Sequence, residues 1–78
     1  MKEITRKTNV EMVEELKNMN KIKDKERVLD SYTYYDPELE GQFITVITVE
    51  DDHVYFKTTY FYNYSSHEYS FITVNGCM

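Results

Sequence analysis

The sequence predicts an α+β domain: one N-terminal helix packed on a four-stranded antiparallel meander sheet. Three observations carry that expectation. Apolar residues recur at three- and four-residue spacing in the first third of the chain, the period drops to two after residue 27, and every later connection is short. Connections of that length exclude the crossover helices that parallel neighbours need. Consecutive strands therefore pair in the order 1-2-3-4, with the helix across one face.

The helix is expected over residues 8–22. Thr8 and Glu11 have the spacing of a capping box, in which each side chain satisfies an amide that the first turn leaves without a partner. Met12, Val13, Leu16, Met19 and Ile22 form one apolar stripe, with Glu11, Glu14, Glu15 and Asn18 opposite. Lys17 and Lys21 sit where cations favour a helix C-terminus. Residues 21–27 alternate in charge and read as a solvated connector or a fraying last turn. Val28 to Tyr35 is the first strand, rich in β-branched and aromatic residues. Residues 36–41, with Pro37 and Gly41, end it. Phe43 to Val49 is the second strand, Glu50 to His53 its turn, and Val54 to Asn63 the third strand. Ser65-Ser66 turns into a fourth strand from Glu68 to Val74, which Asn75-Gly76 is expected to stop. The second strand is apolar on both faces, more than one short helix covers. Either aromatics curl over the second face or a partner does.

Seventy-eight residues allow a single domain, 1–78, with a thin stability margin that would not support a deep cofactor pocket. One cysteine excludes a disulfide framework and a zinc knuckle, and it suggests a reducing compartment. No run of 18 apolar residues occurs, and residues 1–3 lead into no signal-peptide core, so a soluble, cytoplasmic protein without a membrane partner is expected. The net charge of −5 is unevenly distributed. Eight of nine Lys and Arg residues fall in positions 1–27, which net +2, whereas residues 28–78 hold Lys57 against eight acids and net −7. Such a half repels nucleic acid and attracts basic surfaces; it also serves plain solubility.

A search for catalytic chemistry finds little. His53 and His67 adjoin predicted turns without a nucleophile placed by any motif. Cys77 lies near the chain end, where rigid support is lacking. Glu50-Asp51-Asp52-His53 lacks the glycine bend of a cation loop, and two glycines build no phosphate cradle. The expectation is a non-enzyme with no cofactor and no metal. Eight tyrosines suit a half-wet sheet or a protein interface. Stacking on single-stranded bases would need flanking cations, and only Lys57 is available on the sheet.

The segment Ser31-Tyr32-Thr33-Tyr34-Tyr35-Asp36-Pro37-Glu38-Leu39-Glu40 resembles the staphylococcal type of uracil-DNA glycosylase inhibitor. The likeness extends as pattern over residues 29–75, with an acidic helix ahead of an antiparallel sheet. This resemblance implies a phage-type DNA mimic acting in the host bacterial cytoplasm, which sets carboxylates where an enzyme expects phosphates and offers an apolar pocket to the enzyme's DNA-wedging leucine. By position, Glu11, Glu14 and Glu15 would be one set of carboxylates and Asp36, Glu38 and Glu40 a second, with Tyr32 and Tyr34 beside them. Met12, Val13, Leu16 and Met19 would wall the pocket. The helix lacks the serine of the family's acid-serine-apolar triplet.

Three functions follow as expectations. The first is an inhibitor that binds a host DNA-binding enzyme, uracil-DNA glycosylase foremost, without touching nucleic acid directly. The second is an anti-restriction or anti-CRISPR protein using the same surface. The third is a structural or regulatory homo-oligomer paired through sheet edges. The first two require only a monomer or weak homodimer.

Overall fold

The computed structural model describes residues 6–77, Cys77 by its backbone alone; the reading of residues 1–3 lies outside them. Helix α1 (Asn9–Asn18) starts as its capping box requires. Thr8 Oγ1 accepts the Glu11 amide at 3.1 Å, and Glu11 Oε1 accepts the Thr8 amide at 3.2 Å. Its end comes earlier than the apolar spacing suggests. Asn20 adopts a left-handed φ of 59°. Its amide then donates to the Lys17 carbonyl at 3.0 Å, and the Lys21 amide to the Leu16 carbonyl at 2.9 Å. These two bonds close the helix C-terminus in a Schellman motif, with asparagine in the place glycine usually takes. The expected helix over 8–22 is thus corrected at its C-terminal end. Met19 leaves the buried stripe and is 43% exposed, whereas Ile22, beyond the helix, turns back into the core. The polar segment 21–27 therefore does contribute one core residue.

Four strands follow, β1 (Glu26–Asp36), β2 (Gly41–Glu50), β3 (Val54–Asn63) and β4 (Glu68–Cys77), paired antiparallel in sequence order. The α+β meander is as the periodicity predicts. Asp36 and Gly41, and Asn63 and Glu68, close two hairpins at one end of the sheet; Glu50 and Val54 close the third at the other. We call these the two-turn end and the single-turn end. At the two-turn end, Asp36 Oδ1 accepts the amides of Glu38 and Leu39, and Asn63 Oδ1 accepts those of Ser65 and Ser66. Each turn finishes on a left-handed residue, Glu40 or His67, and the Tyr64 amide ties one turn to the other through the Glu40 carbonyl at 3.1 Å. Gly41 is required for space: a Cβ there would lie 2.3 Å from the Phe61 ring and from the Tyr62 carbonyl oxygen. Gly76, by contrast, stays in extended backbone opposite Phe56. The expectation that Asn75-Gly76 stops β4 is corrected: the strand runs on to Cys77, whose backbone pairs with Tyr55.

The core lies between α1 and one sheet face. Met12, Val13, Leu16 and Ile22 pack on Ile44, Val46, Tyr60 and Tyr62. A ten-residue helix is about 15 Å long, and the molecule extends 47 Å along its major axis. α1 therefore seals only the part of that face nearer the two-turn end. The opposite face is covered by its own side chains. Tyr34, Phe43 and Phe61 form a row with ring centroids 6.4 and 4.9 Å apart, and Thr45 and Thr59 share a hydroxyl hydrogen bond at 2.9 Å. Aromatic side chains thus cover part of this face, while Tyr32 and Tyr34 remain exposed on it.

Leu16 is fully buried beneath the one described helix, and Met19 is not. Leu16→Ala should lower the unfolding free energy by about 2–4 kcal/mol, and Met19→Ala by well under half of that. Chemical denaturation of both variants measures the contrast; equal shifts would contradict the packing.

Candidate functional site

The residues that the sequence singles out fall into three places. Glu11 and Glu14 project from α1 and are exposed. Glu11 is engaged in the capping box, and Glu14 lies 3.9 Å from Lys17. Glu15 differs from both. Its carboxylate pairs with Lys7 Nζ at 2.8 Å and accepts the Tyr69 hydroxyl at 2.5 Å, which ties the helix to β4. Burial pushes the Glu15 carboxyl up, but the bonds from Lys7 and Tyr69 outweigh it and hold it below its ordinary range. The same contact raises Lys7, and burial followed by the Glu15 carboxylate pushes the Tyr69 hydroxyl far up. Glu15 is thus a structural tie rather than a free carboxylate, and this corrects its expected role as a phosphate substitute.

Beside that tie lies a residue the sequence reading missed. Gln42 is 2% exposed on the helix face of β2. Its Oε1 accepts the Lys7 amide at 2.8 Å and the Tyr64 hydroxyl at 2.6 Å. Its Nε2 donates to the Lys7 carbonyl at 2.9 Å and to Thr33 Oγ1 at 3.0 Å. Both protons and both lone pairs are satisfied, so the amide locks the approach to α1 onto the sheet. Its signal in the sequence is a polar residue at the head of the inward positions 42, 44 and 46. Arg6, 4.0 Å over the Tyr35 ring, and Lys7, 5.0 Å over Tyr62, add cation–π contacts there.

The second place is the two-turn end. Asp36 anchors its turn through Oδ1. Glu38, Glu40 and Glu68 are exposed there. Among the described residues, none of these four acids forms an ion pair; Arg6, near the same end, lies over the Tyr35 ring instead. Lys25 pairs with Glu50 at 2.8 Å and Arg27 with Asp52 at 3.5 Å, both at the single-turn end, while Lys7 is held by Glu15. The third place is the helix-free face, where Tyr32 is 46% and Tyr34 65% exposed. The structure thus gathers Asp36, Glu38 and Glu40, adds Glu68 to them, and leaves Glu11 and Glu14 on the helix and Tyr32 and Tyr34 on the opposite face.

The expected apolar pocket is corrected. Met12, Val13 and Leu16 are closed into the core, and Met19 stands outside it, so these four wall no opening. An open groove of about 270 Å³ lies instead beyond the helix C-terminus, where the short α1 leaves the sheet uncovered. Phe56, Thr58, Tyr60, Phe71 and Val74 line it from the sheet, together with Lys21, Lys23, Glu26 and Glu50. Burial, and then the nearby Glu26 carboxylate, hold the Tyr60 hydroxyl above its ordinary value.

Of the other polar candidates, His67 Nδ1 meets the Tyr62 hydroxyl at 3.1 Å, and His53 Nδ1 lies 2.5 Å from the Asp51 carbonyl oxygen. Among the described residues no three His, Cys, Asp or Glu side chains converge as metal ligands, and no helix is long and apolar enough to cross a membrane.

The Glu15 tie has a pH signature. A carboxyl held low in the folded state contributes stability that is complete above its unfolded value, 4.5, and is lost as pH falls through the folded one. Glu15→Gln should therefore flatten the loss of stability below pH 4.5, read by urea denaturation across that range; an unchanged slope would contradict the tie. No protein-family model, curated protein or solved structure matches this chain.

Proposed function

We propose that the chain is a non-enzymatic acidic protein that takes the place of DNA on a DNA-processing enzyme in the bacterial cytoplasm. Uracil-DNA glycosylase is the target implied by the sequence resemblance. The observation that supports this reading is the cluster of four acids at the two-turn end that form no ion pair among the described residues. Asp36, Glu38, Glu40 and Glu68 share that end, while Lys25 and Arg27 neutralise acids at the other. From β1 to β4 is three strand spacings, about 14 Å. Rigid turns hold the acids, so little conformational freedom is lost on binding.

The reading rests on charge, not on capture of a leucine, because the helix residues assigned to that role are core. Glu38 and Glu40 carry the most weight, because their side chains are exposed and form no hydrogen bond or ion pair among the described contacts. Glu11 and Glu14 extend the acidic surface along α1. A restriction or CRISPR nuclease presents a basic DNA-binding surface too, so the same charges would serve against it.

Binding kinetics with a bacterial uracil-DNA glycosylase test the proposal. The association rate should fall as salt is raised, and Glu38→Gln with Glu40→Gln should lower it roughly tenfold at low salt while leaving unfolding unchanged. If complex forms and neither salt nor the double variant alters association, the acids are only a solvated face. If the glycosylase does not bind and a nuclease does, the target is wrong.

A further inference from the structure

The two edge strands of the sheet, β1 and β4, differ in how far they are closed to a further strand. On β1, side chains take both backbone groups of Ser31. Its amide donates to Asp30 Oδ1 at 2.8 Å, and its carbonyl accepts the Asn9 side-chain amide at 3.2 Å. Glu26, Arg27, Asp30 and Asp36 add charge along the same strand. Features of this kind keep a strand edge from pairing. On β4 they are missing. Past Glu68 it holds no charged residue and no proline as far as Cys77, and among the described residues no side chain hydrogen-bonds to its backbone. Phe71, Ile72 and Val74 are 52, 51 and 48% exposed along it.

Each edge strand carries one extra residue, Leu29 in β1 and Ile72 in β4. In β4 that bulge creates a symmetry. Phe71 and Val74 pair with Tyr60 and Thr58, which lie two apart on β3, and cross-strand partners share a face. Phe71 and Val74 therefore share the helix face although they are three residues apart, a spacing that sets residues of a regular strand on opposite faces. Ser70 and Asn75 share the other face by the same pairing, and Tyr69 and Gly76 share the first. Residues at equal distances on either side of the Ile72–Thr73 bond thus match in face. A strand with that property can pair antiparallel with its own copy about a twofold axis beside that bond. Phe71 of each copy then stands opposite Val74 of the other. Charge favours the same direction: a parallel in-register pair would set Glu68 against Glu68, whereas the antiparallel pair sets it against Cys77.

We infer that β4 is the contact through which two copies of this chain form a twofold dimer, their sheets joined edge to edge into one of eight strands. The occupant is a second copy because the match in face about Ile72–Thr73 is a relation of β4 to itself. It is β4 of that copy rather than β1, where Ser31 is already engaged. One strand from each copy makes an interface below the standard size, so the dimer is weak and concentration-dependent. The inference does not rest on the inhibitor reading. Asp36, Glu38 and Glu40 lie at the β1–β2 turn, outside the contact, and antiparallel pairing sends the two acidic ends in opposite directions.

Sedimentation of the protein alone tests it, so the outcome is independent of any enzyme target. The wild-type average mass should rise with concentration toward twice the monomer mass and stop there. Because the paired stretch is uncharged, salt should not diminish the rise. Phe71→Glu and Val74→Lys should each remain monomeric at concentrations where the wild type is dimeric. Mixed in equal amounts they should form a one-to-one dimer. The new carboxylate of the first then stands opposite the new ammonium of the second, and the remaining Val74 and Phe71 face each other. That mixed dimer also reports that both variants fold. A wild type that stays monomeric up to millimolar concentration overturns the inference and leaves the edge to an extended peptide of another protein. So does assembly beyond a dimer, or dimerisation that both single variants retain, which would place the contact elsewhere. A mixture of the two variants that stays monomeric overturns it as well.

Discussion

A ten-residue helix has to cover one face of strands ten and eleven residues long, and the rest of the structure follows from that mismatch. Met12 and Leu16 reach zero exposure against Ile44 and Val46, so α1 is seated where the apolar side chains of β2 are. Polar contacts then fix its position: Gln42 holds the segment before the helix, and Glu15 reaches Lys7 and Tyr69. Apolar burial is non-directional and tolerates sliding, whereas a buried amide with four defined partners does not. The hydrophobic contacts supply the attraction and the amide supplies the register.

Seating α1 toward one end produces the asymmetry of the surface. Ile22 returns to the core, but Lys21 and Lys23 remain outside, where they line the bare part of the sheet together with Glu26 and Glu50. Lys25 and Arg27, next in the chain, lie beside the β2–β3 turn and meet Glu50 and Asp52. Lys7 is thereby held by Glu15, and Lys25 and Arg27 by acids at the single-turn end, while Asp36, Glu38, Glu40 and Glu68 form no ion pair among the described residues. The long sheet becomes electrostatically polar through the placement of one short helix. That polarity underlies the proposed recognition of a basic surface.

Much of this was readable from local chemistry. The Thr8–Glu11 spacing locates the helix start, and alternation with turn residues locates all four strands, since both signals involve residues close in sequence. The apolar spacing overshoots the helix end, because Ile22 continues it while Asn20, adopting the left-handed conformation, breaks the helix that carries it. Asn75-Gly76 reads as a stop, yet pairing with Lys57 and Phe56 keeps both in the strand, a tertiary override of local propensity. The site was less legible. Asp36, Glu38 and Glu40 are marked by the resemblance, whereas the role of Glu15 as a tie depends on Tyr69, 54 residues away, which no local pattern reveals. The groove joins Lys21 to Val74, so no local pattern encodes it, and the pocket expected from the helix stripe is instead the core itself.

Competition with DNA tests the central functional claim most directly. The affinity of the chain for a bacterial uracil-DNA glycosylase would be measured as a non-cleavable duplex is added in increasing amounts. If the acidic end of the sheet occupies the DNA-binding surface, the apparent Kd rises in proportion to duplex concentration and no species containing all three components forms. A ternary complex, or an affinity for the chain that the duplex leaves unchanged, would contradict the account.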